Sequence, residues 1–320
     1  MVDHFVGGAR QPDGDVYLVT GSHGHLGSYI VEELARQKDN IQIICVDNLY
    51  NGNINNLKVA LSVVENKNIS LVPVLADVTD EIIMRETFLT YRPNYVFHAA
   101  SYLTLDSNKY KSKSVKVNVY GGALLFELCL EFNVKKVVYS SSASVYGTPR
   151  LTPTKEDYPF DDCKLLYGSS KVGLEYIAKS FMEFGLEIVG LRYFNVYGPR
   201  QSLSNVYTQI VPKWINAIAN KETITIYGDG TQTMDMIFGS DIGRANVVAM
   251  DNDECKNMFI NVGTGLQTSV INLFELISDR MIKLMGDAEI DVEYDSHDPN
   301  LVKKRCASVQ KMHKYLGVHQ

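Results

Sequence analysis

The first 200 residues of the chain alternate short β-branched runs with longer amphipathic segments. The runs predict strands at Val16–Thr20, Ile41–Val46, Ser70–Val74, Tyr95–His98, Lys136–Ser140 and Glu187–Arg192. The segments between them predict helices, among them Leu26–Gln37, Val115–Phe132 and Tyr167–Phe184. Mostly apolar strands that alternate with helices are typical of a parallel sheet covered on both faces by right-handed βαβ crossovers. The sequence therefore predicts an α/β fold built on a doubly wound parallel sheet.

The alternation ends near Asn195, where turn-rich stretches occur at 197–200 and 227–230. Beyond that point, two helices are predicted between shorter strands, at Tyr207–Ala219 and Ile271–Met285. We expect a flexible tail over residues 1–15, a large domain over residues 16–194 with later returns near 235–262, and a smaller mixed α/β lobe over residues 195–320.

Charge and cysteine content argue against several classes of protein. The 320 residues carry 31 Lys and Arg against 37 Asp and Glu, a net charge of −6, whereas nucleic-acid binding requires a basic surface. The five cysteines are odd in number and never spaced C-x-x-C, so the sequence predicts no disulfide framework, no metal site and a reducing compartment. No apolar run approaches the roughly 18 residues of a membrane span, and residues 1–15 lack the apolar core of a signal peptide. We expect a cytoplasmic protein without nucleic-acid or membrane partners.

A glycine-rich turn follows the first predicted strand and opens the first predicted helix. Gly21, Gly24 and Gly27 have the spacing G-x-x-G-x-x-G. The first glycine permits a sharp turn, the second lets the backbone approach a pyrophosphate, and the third lets the helix pack close to the sheet. The helix N-terminus then offers free N–H groups and a positive dipole to phosphate. At this place in the chain, the pattern predicts a dinucleotide site.

Asp47 follows the second predicted strand, twenty residues after Gly27. A carboxylate there can accept hydrogen bonds from an adenosine ribose and repels a 2′-phosphate. No arginine adjoins Asp47, so the pattern favours NAD over NADP as the cofactor. The alternative is that Asp47 only caps a turn.

Tyr167 and Lys171 are spaced i and i+4, and they lie on one face if their segment is helical. A nearby ammonium stabilises a phenolate, so we expect Lys171 to lower the pKa of Tyr167 and make it a base. The hydroxyl cluster Ser140–Ser142 lies at the carboxyl end of the fifth predicted strand, where ligands of open α/β sheets bind. Ser142 can hydrogen-bond the substrate oxygen that Tyr167 deprotonates. The alternative is that these serines only form polar turns.

Together these motifs resemble the extended short-chain dehydrogenase/reductase superfamily, in its nucleotide-sugar epimerase/dehydratase branch. The similarity runs from Val16 to Gly317. Further motifs that carry it are Asp77-Val78, His98-Ala99-Ala100-Ser101, Asn118, the run from Arg192 to Pro199, and Tyr227-Gly228-Asp229-Gly230. The resemblance implies a Rossmann-type NAD-binding domain over residues 16–194, a C-terminal lobe that mainly binds substrate, and an enzyme acting on a nucleotide-diphosphate sugar.

The resemblance also implies roles for individual residues. Tyr167 would be the base, Lys171 would bind the nicotinamide ribose and tune Tyr167, and Ser142 would assist. The positions implied to bind NAD are Gly21, Gly24, His25, Leu26, Gly27, Asp47, Asn48, Asp77, Val78, Ala99, Ala100, Ser101, Asn118, Ser140, Tyr167, Lys171, Tyr193 and Phe194. Those implied to bind substrate are Ser142, Asn195 and Tyr227. His98 is interpreted as a core histidine at a strand end.

The segment Ser142-Ala143-Ser144 favours epimerisation over dehydration. Family dehydratases carry Thr-Asp-Glu at these positions, where the carboxylates act as acid and base, and this chain has neither carboxylate. The predicted reaction is a transient oxidation, in which Tyr167 takes a proton from the C4 hydroxyl while the C4 hydride passes to NAD. The flat 4-keto sugar then swings about its diphosphate link and receives the hydride on its other face.

Two arginines that hold the substrate phosphates in the family are missing. Met234 replaces the first, and the second falls at Asp298. A diphosphate in a partly desolvated cleft needs charge-assisted partners. Candidates to replace the arginines, each also interpretable as an ordinary surface cation, are Arg200, Lys213, Lys303, Lys304 and Arg305.

Two other functions stay open at this point. One is a related oxidative enzyme that yields a 4-keto sugar, a decarboxylated sugar or an epimer at another carbon. The other is a catalytically idle NAD-binding regulator, against which the intact Tyr167, Lys171 and Ser142 argue.

The resemblance finally implies a homodimer, because relatives usually pair through two helices of each subunit. Here these would be Val115–Phe132 and Tyr167–Phe184. Candidate contact residues on them are Leu124, Leu125, Leu128 and Ile177, although helices that face a sheet carry the same apolar pattern.

Overall fold

The structure is a computed structural model that describes residues 13–65, 67–160, 163–201, 210–286, 290–296 and 302–317. These residues form thirteen strands. They are β1 (Val16–Thr20), β2 (Ile41–Asp47), β3 (Ile69–Leu75), β4 (Tyr95–His98), β5 (Lys136–Ser142), β6 (Ile188–Tyr193), β7 (Asn195–Tyr197), β8 (Ile224–Tyr227), β9 (Thr233–Met234), β10 (Met236–Phe238), β11 (Met258–Val262), β12 (Thr268–Ser269) and β13 (Val292–Asp295).

The helices are α1 (His25–Gln37), α2 (Lys58–Val64), α3 (Glu81–Tyr91), α4 (Thr104–Lys109), α5 (Lys111–Val115), α6 (Gly122–Glu131), α7 (Leu166–Glu183), α8 (Ile210–Asn220), α9 (Gly239–Asp251), α10 (Val270–Met285) and α11 (Gln310–Leu316). A π-helical segment, Lys116–Gly121, joins α5 to α6, and 3₁₀ turns occur at Ile54–Leu57 and Ala143–Tyr146. No helix in the described ranges is long and apolar enough to span a bilayer.

Seven parallel strands form the central sheet, in the order β11-β6-β5-β4-β1-β2-β3. Every residue of β2 is buried, because helices cover both faces of the sheet. Ile43 packs with Leu34 of α1 on one face, and Ile44 packs with Phe88 of α3 on the other. The doubly wound α/β fold predicted from the sequence is confirmed.

The strand order reverses between β1 and β4, which lie side by side although two strands separate them in sequence. Chain crossovers leave this point in opposite directions, so a crevice opens at the carboxyl ends of the two strands. Thr20 at the end of β1 is paired with Val46 of β2 and with His98 of β4. The glycine turn and the segments after Asp47 and His98 therefore start at one edge of the sheet.

The chain returns to the sheet after residue 194. Strand β11 pairs with β6, and helix α9 contributes Ile242 and Val247 to the apolar cluster that α1 covers. A separate apolar cluster around Trp214, Ile224 and Leu273 holds α8, β8 and α10 together as a smaller lobe. The helix predicted at Tyr207–Ala219 is α8, and residues 207–209 lie outside the described residues.

Three of the residues predicted as dimer contacts are instead core residues of the subunit. Leu124, Leu125 and Leu128 are buried in the cluster between α6 and the sheet, and Ile177 packs against the same cluster. The three leucines therefore follow the alternative left open by the sequence, because a helix that faces a sheet and a helix that faces a partner have the same apolar periodicity.

Candidate active site

A cavity of about 320 Å³ lies at the carboxyl edge of β1, β4 and β5. Its size is within the usual range for small-molecule sites. Every predicted site residue lines this cavity except Asn118 and Tyr227. The topological crevice thus brings together motifs that are up to 174 positions apart, from Gly21 to Asn195.

The glycine turn forms the floor of the cavity. Gly21 has φ +66°, and a Cβ there would lie 2.7 Å from the backbone nitrogen of Ala100. A Cβ on Gly27 would lie 2.0 Å from the Gly21 carbonyl oxygen, so no side chain fits at either position. Gly24 is the N-cap of α1, which leaves the first N–H groups of the helix directed at the cavity. A helix N-terminus behind a turn without side chains can bind a phosphate group.

Asp47 lines the cavity beside the glycine turn, and it also caps a turn. Its Oδ2 accepts from the backbone N–H of His23 at 2.9 Å, and its Oδ1 accepts from that of Leu49 at 2.7 Å. Each carboxylate oxygen has a second lone pair, so these bonds orient Asp47 without exhausting its capacity to accept from a ribose. Nearby, Asn48 donates to Asp77 at 2.9 Å and joins the two loops.

Three residues that sequence reasoning missed connect the two rims of the cavity at this end. The Tyr50 hydroxyl donates to Asp106 at 3.1 Å, and Asn51 Nδ2 donates to the same carboxylate at 3.2 Å. Tyr50 also stacks on Tyr102 with ring centroids 4.8 Å apart. We call Tyr50, Asn51 and Asp106 the clasp. No local motif signals it, since Asp106 is 56 positions from Tyr50.

Tyr167, Lys171 and Ser142 lie on one wall of the cavity. Tyr167 and Lys171 are in the first turns of α7, and Ser142 ends β5. The buried Lys171 Nζ donates to the Ser140 carbonyl oxygen at 2.8 Å. Ser142 Oγ accepts from the backbone N–H of Ser144 at 3.1 Å, which leaves its own proton to donate into the cavity.

The pKa of Tyr167 is raised by burial, which outweighs polar contacts with Ser142 and Ser101 and the positive charge of Arg305. The expected lowering of this pKa is therefore wrong. Lys171 Nζ lies 5.8 Å from the centre of the Tyr167 ring and donates to Ser140. Burial also lowers the pKa of Lys171 to about 8, while the charge of Glu175 acts in the opposite direction.

A buried ion pair fixes α7 against the end of the sheet. Glu175, one turn beyond Lys171, accepts from Arg192 Nε at 2.9 Å and from Arg192 Nη2 at 2.7 Å. Its Oε1 also accepts from the Ser141 hydroxyl at 2.6 Å. This network ties β5, β6 and α7 together next to the wall that carries Tyr167, Lys171 and Ser142. Breaking such a pair leaves an uncompensated buried charge, so the network holds its geometry firmly.

Two predicted residues act from behind the cavity wall. Asn118 is buried, and its side chain bonds the backbone N–H and carbonyl of Tyr102 at 2.7 and 2.9 Å, so it positions the segment after β4. His98 is a core histidine, as interpreted from the sequence, and its Nδ1 is bonded to the Thr20 hydroxyl at 2.7 Å. Burial lowers the pKa of His98 to about 3, with Lys171 adding to the effect.

The substrate end departs further from the sequence-based expectations. Asn195 lines the cavity, whereas Tyr227 is 40% exposed at the end of β8 and outside the described lining. Strand β8 pairs with β13 in the small lobe, and a contact of Tyr227 with substrate stays a prediction. Met234 packs against the apolar cluster of that lobe, and Asp298 lies outside the described residues.

Two of the candidate replacement cations, Arg200 and Arg305, line the cavity. Arg200 lies beside α1, forms an ion pair with Glu32 and stacks over the Tyr29 ring at 4.3 Å. Arg305 is half-buried near Tyr167. Sequence reasoning could not choose these two among five surface-like cations, because tertiary contacts place them.

A family model described as the NAD dependent epimerase/dehydratase family matches residues 17–263 of the chain. The chain is 32% identical over 276 residues to a putative UDP-glucose 4-epimerase from Methanocaldococcus jannaschii, with 86% of this chain and 85% of that protein covered.

Two solved structures are similar over nearly the whole chain. One is a UDP-N-acetylglucosamine 4-epimerase from Methanobrevibacter ruminantium M1 in complex with UDP-N-acetylmuramic acid, with a TM-score of 0.82, 34% identity, and coverage of 95% of this chain and 92% of that one. The other is UDP-glucose 4-epimerase from Thermotoga maritima with UDP-glucose, with a TM-score of 0.81, 31% identity, and coverage of 95% and 93%.

Proposed function

The chain belongs to the NAD dependent epimerase/dehydratase family, and from that premise we propose that it is a nucleotide-sugar 4-epimerase. The cofactor predicted from the sequence, NAD, is the one that the family uses. The observation that carries the proposal is the placement of Tyr167, Lys171 and Ser142 on one wall of the cavity that starts at the glycine turn.

The described cavity fits NAD at three points. The Gly21–Gly27 cradle at the N-terminus of α1 suits a pyrophosphate, Asp47 suits an adenosine ribose, and buried Lys171 suits the nicotinamide ribose. When bound, NAD supplies an acceptor and donor of hydride. Asp47 lines that part of the cavity, and no arginine adjoins it in the sequence. This combination favours NAD over NADP.

Tyr167 is the proposed proton carrier. Its phenolate oxygen receives the proton of the sugar C4 hydroxyl as C4 is oxidised, and the resulting phenol returns that proton to the C4 oxygen as C4 is reduced. Ser142 donates a hydrogen bond to the same sugar oxygen and keeps it in line with Tyr167. Lys171 supplies the positive charge that the phenolate form requires. Because the proton is returned, the residues end the cycle in their starting state.

The distribution of carboxylates favours epimerisation over dehydration. Among the described residues that line the cavity, the carboxylates are Asp47 and Asp77, both at the adenosine end. Ser144 lines the cavity near Tyr167, and Ala143 is turned into the apolar core. An elimination of water needs an acid and a base next to the sugar, and those positions carry hydroxyl and methyl groups.

We propose a UDP-sugar as the substrate, because the similar proteins are named for UDP-glucose and UDP-N-acetylglucosamine. The test supplies each of these two UDP-sugars to the purified protein and follows the products by NMR. The wild-type protein is expected to interconvert the C4 epimers of at least one of them.

Tyr167→Phe removes the proton carrier and is expected to reduce turnover by about 100-fold or more. The matched control is Tyr176→Phe, which removes a phenol hydroxyl from an exposed position on the same helix. Full turnover in the Tyr167→Phe variant, or a product changed at a carbon other than C4, would contradict the proposal.

We also propose a cytoplasmic homodimer. Cys45, Cys129, Cys255 and Cys306 are free thiols, which suits a reducing compartment. Exposed apolar side chains remain on the two segments expected to pair: Val115 and Tyr120 around the π-helical segment, and Phe184 after α7. Sedimentation velocity should show a dimer that Tyr120→Glu converts to monomer, and a monomeric wild-type protein at micromolar concentration would refute this assembly.

A further inference from the structure

The proposed function requires a cation for the substrate diphosphate. A diphosphate that leaves water for a partly desolvated cleft needs charge-assisted hydrogen bonds to offset the cost of its lost hydration. The cations that line the cavity among the described residues are Lys171, Arg200 and Arg305. The contacts of each cation indicate whether it faces the cofactor or the substrate.

Lys171 and Arg200 are both committed to the cofactor side of the cavity. Lys171 Nζ is buried and donates to the Ser140 carbonyl oxygen at the end of β5. Arg200 pairs with Glu32 and stacks on Tyr29, so it is held against α1 next to the glycine cradle. Neither is placed to meet a group attached to the far end of the sugar ring.

We propose that Arg305 binds the diphosphate of the nucleotide-sugar substrate, an inference that rests on the function proposed above. Arg305 lines the cavity together with Tyr167 and Asn195, and its backbone is hydrogen-bonded to Thr233 beside the small lobe. A sugar whose C4 hydroxyl meets Tyr167 carries its diphosphate on C1, across the ring from C4. The phosphates then lie away from Tyr167, toward the small lobe beside which the segment of Arg305 is hydrogen-bonded.

The backbone around Arg305 is fixed on both sides. Its N–H donates to the Thr233 carbonyl at 3.1 Å, and the Thr233 N–H donates to Lys303 at 3.0 Å. Two residues on, the Ala307 N–H donates to the buried Asp235 carboxylate at 2.9 Å. A side chain on a fixed backbone loses less freedom when it binds a ligand, so this position suits a ligand-binding arginine.

The same contacts explain how the chain can bind a diphosphate although Met234 replaces an arginine of the family. Segment 303–305 runs beside β9, the strand that contains Met234. Met234 packs against the apolar cluster of the small lobe. The cation that the sequence lacks on β9 is therefore supplied by the segment hydrogen-bonded to it.

The test measures binding of UDP, UMP and uridine to the NAD-loaded protein by calorimetry. The variants are Arg305→Met, Arg305→Lys and the matched control Lys304→Met, which removes an adjacent exposed cation. We expect Arg305→Met to weaken UDP binding by about 10–100-fold. Uridine binding should be unchanged, because uridine has no phosphate. Arg305→Lys should recover part of the UDP affinity, and Lys304→Met should match the wild type.

The outcomes separate this inference from the proposed function. A wild-type protein that binds UDP tightly, with Arg305→Met equal to it, overturns the role of Arg305 and leaves the function standing. Equal weakening of UDP and uridine also overturns it, because the effect is then structural. A wild-type protein that binds no UDP overturns the proposed function and this inference with it. Retained NAD content in each variant shows that the cofactor half is intact.

Discussion

Two halves of the cavity are built in different ways. We call the part around the glycine turn, Asp47 and Ser142 the cofactor half, and the part around Asn195 and Arg305 the substrate half. In the cofactor half, short motifs at strand ends place their own side chains: the glycine turn follows β1, Asp47 ends β2, and Ser142 ends β5. In the substrate half, residues come from separated segments held by tertiary contacts, as Arg305 is held by Thr233. Sheet topology alone builds the first half, whereas the second also depends on how the small lobe folds.

The largest expected effect tests whether the chemistry belongs to the cofactor half. Lys171→Met removes the buried ammonium beside Tyr167 and is expected to lower the turnover number by about 10²–10⁴-fold. Lys179→Met, on the exposed side of the same helix, is the control. Steady-state kinetics with the substrate identified by NMR checks the difference. Equal turnover in the two variants would mean that the charge of Lys171 is dispensable.

An intermediate effect concerns the acid sensitivity of the cofactor half. The folded-state pKa of His98 is about 3, below the ordinary value near 6.5 of the unfolded chain. Below pH 6.5 the unfolded state binds the additional proton, so the stability that His98 contributes above pH 6.5 is lost as the pH falls toward 3.

His98→Gln keeps a partner for Thr20 and removes the titration. Between pH 6 and 4, the free energy of unfolding of this variant should fall less steeply than that of the wild type. The two slopes should differ by up to about 1.4 kcal/mol per pH unit. Urea unfolding at several pH values measures both slopes. Parallel curves for wild type and variant would show that burial of His98 does not set the acid response.

The smallest expected effect concerns the clasp. Asp106→Ala removes the acceptor for Tyr50 and Asn51, so the cofactor half should open more readily. We expect NAD to be released about 5–10-fold faster, the equivalent of one or two exposed hydrogen bonds. Stopped-flow release of NADH fluorescence checks this, with Asp229→Ala in the small lobe as control. An unchanged release rate would show that the clasp does not retain the cofactor.

The contrast between the halves also explains what the sequence could predict. Gly21, Asp47, Ser142, Tyr167 and Lys171 are recognisable because local spacing and strand ends fix their positions. The order of the sheet then brings them together without further information.

Other features depend on contacts that no local pattern encodes. The clasp joins Tyr50 to Asp106, Arg305 is placed by Thr233, and the burial of Leu124 depends on which surface its helix covers. The pKa of Tyr167 was predicted with the wrong sign because spacing shows the neighbouring lysine and does not show the depth of burial.

The central claim is that a UDP-sugar is oxidised and reduced at C4 by the same bound NAD while Tyr167 carries the proton. A UDP-sugar with deuterium at C4, incubated with the holoenzyme in ordinary water, tests it most directly. The C4 epimer should keep the deuterium at C4, because the hydride returns to the carbon that lost it. Replacement of that deuterium by hydrogen from solvent would contradict the account.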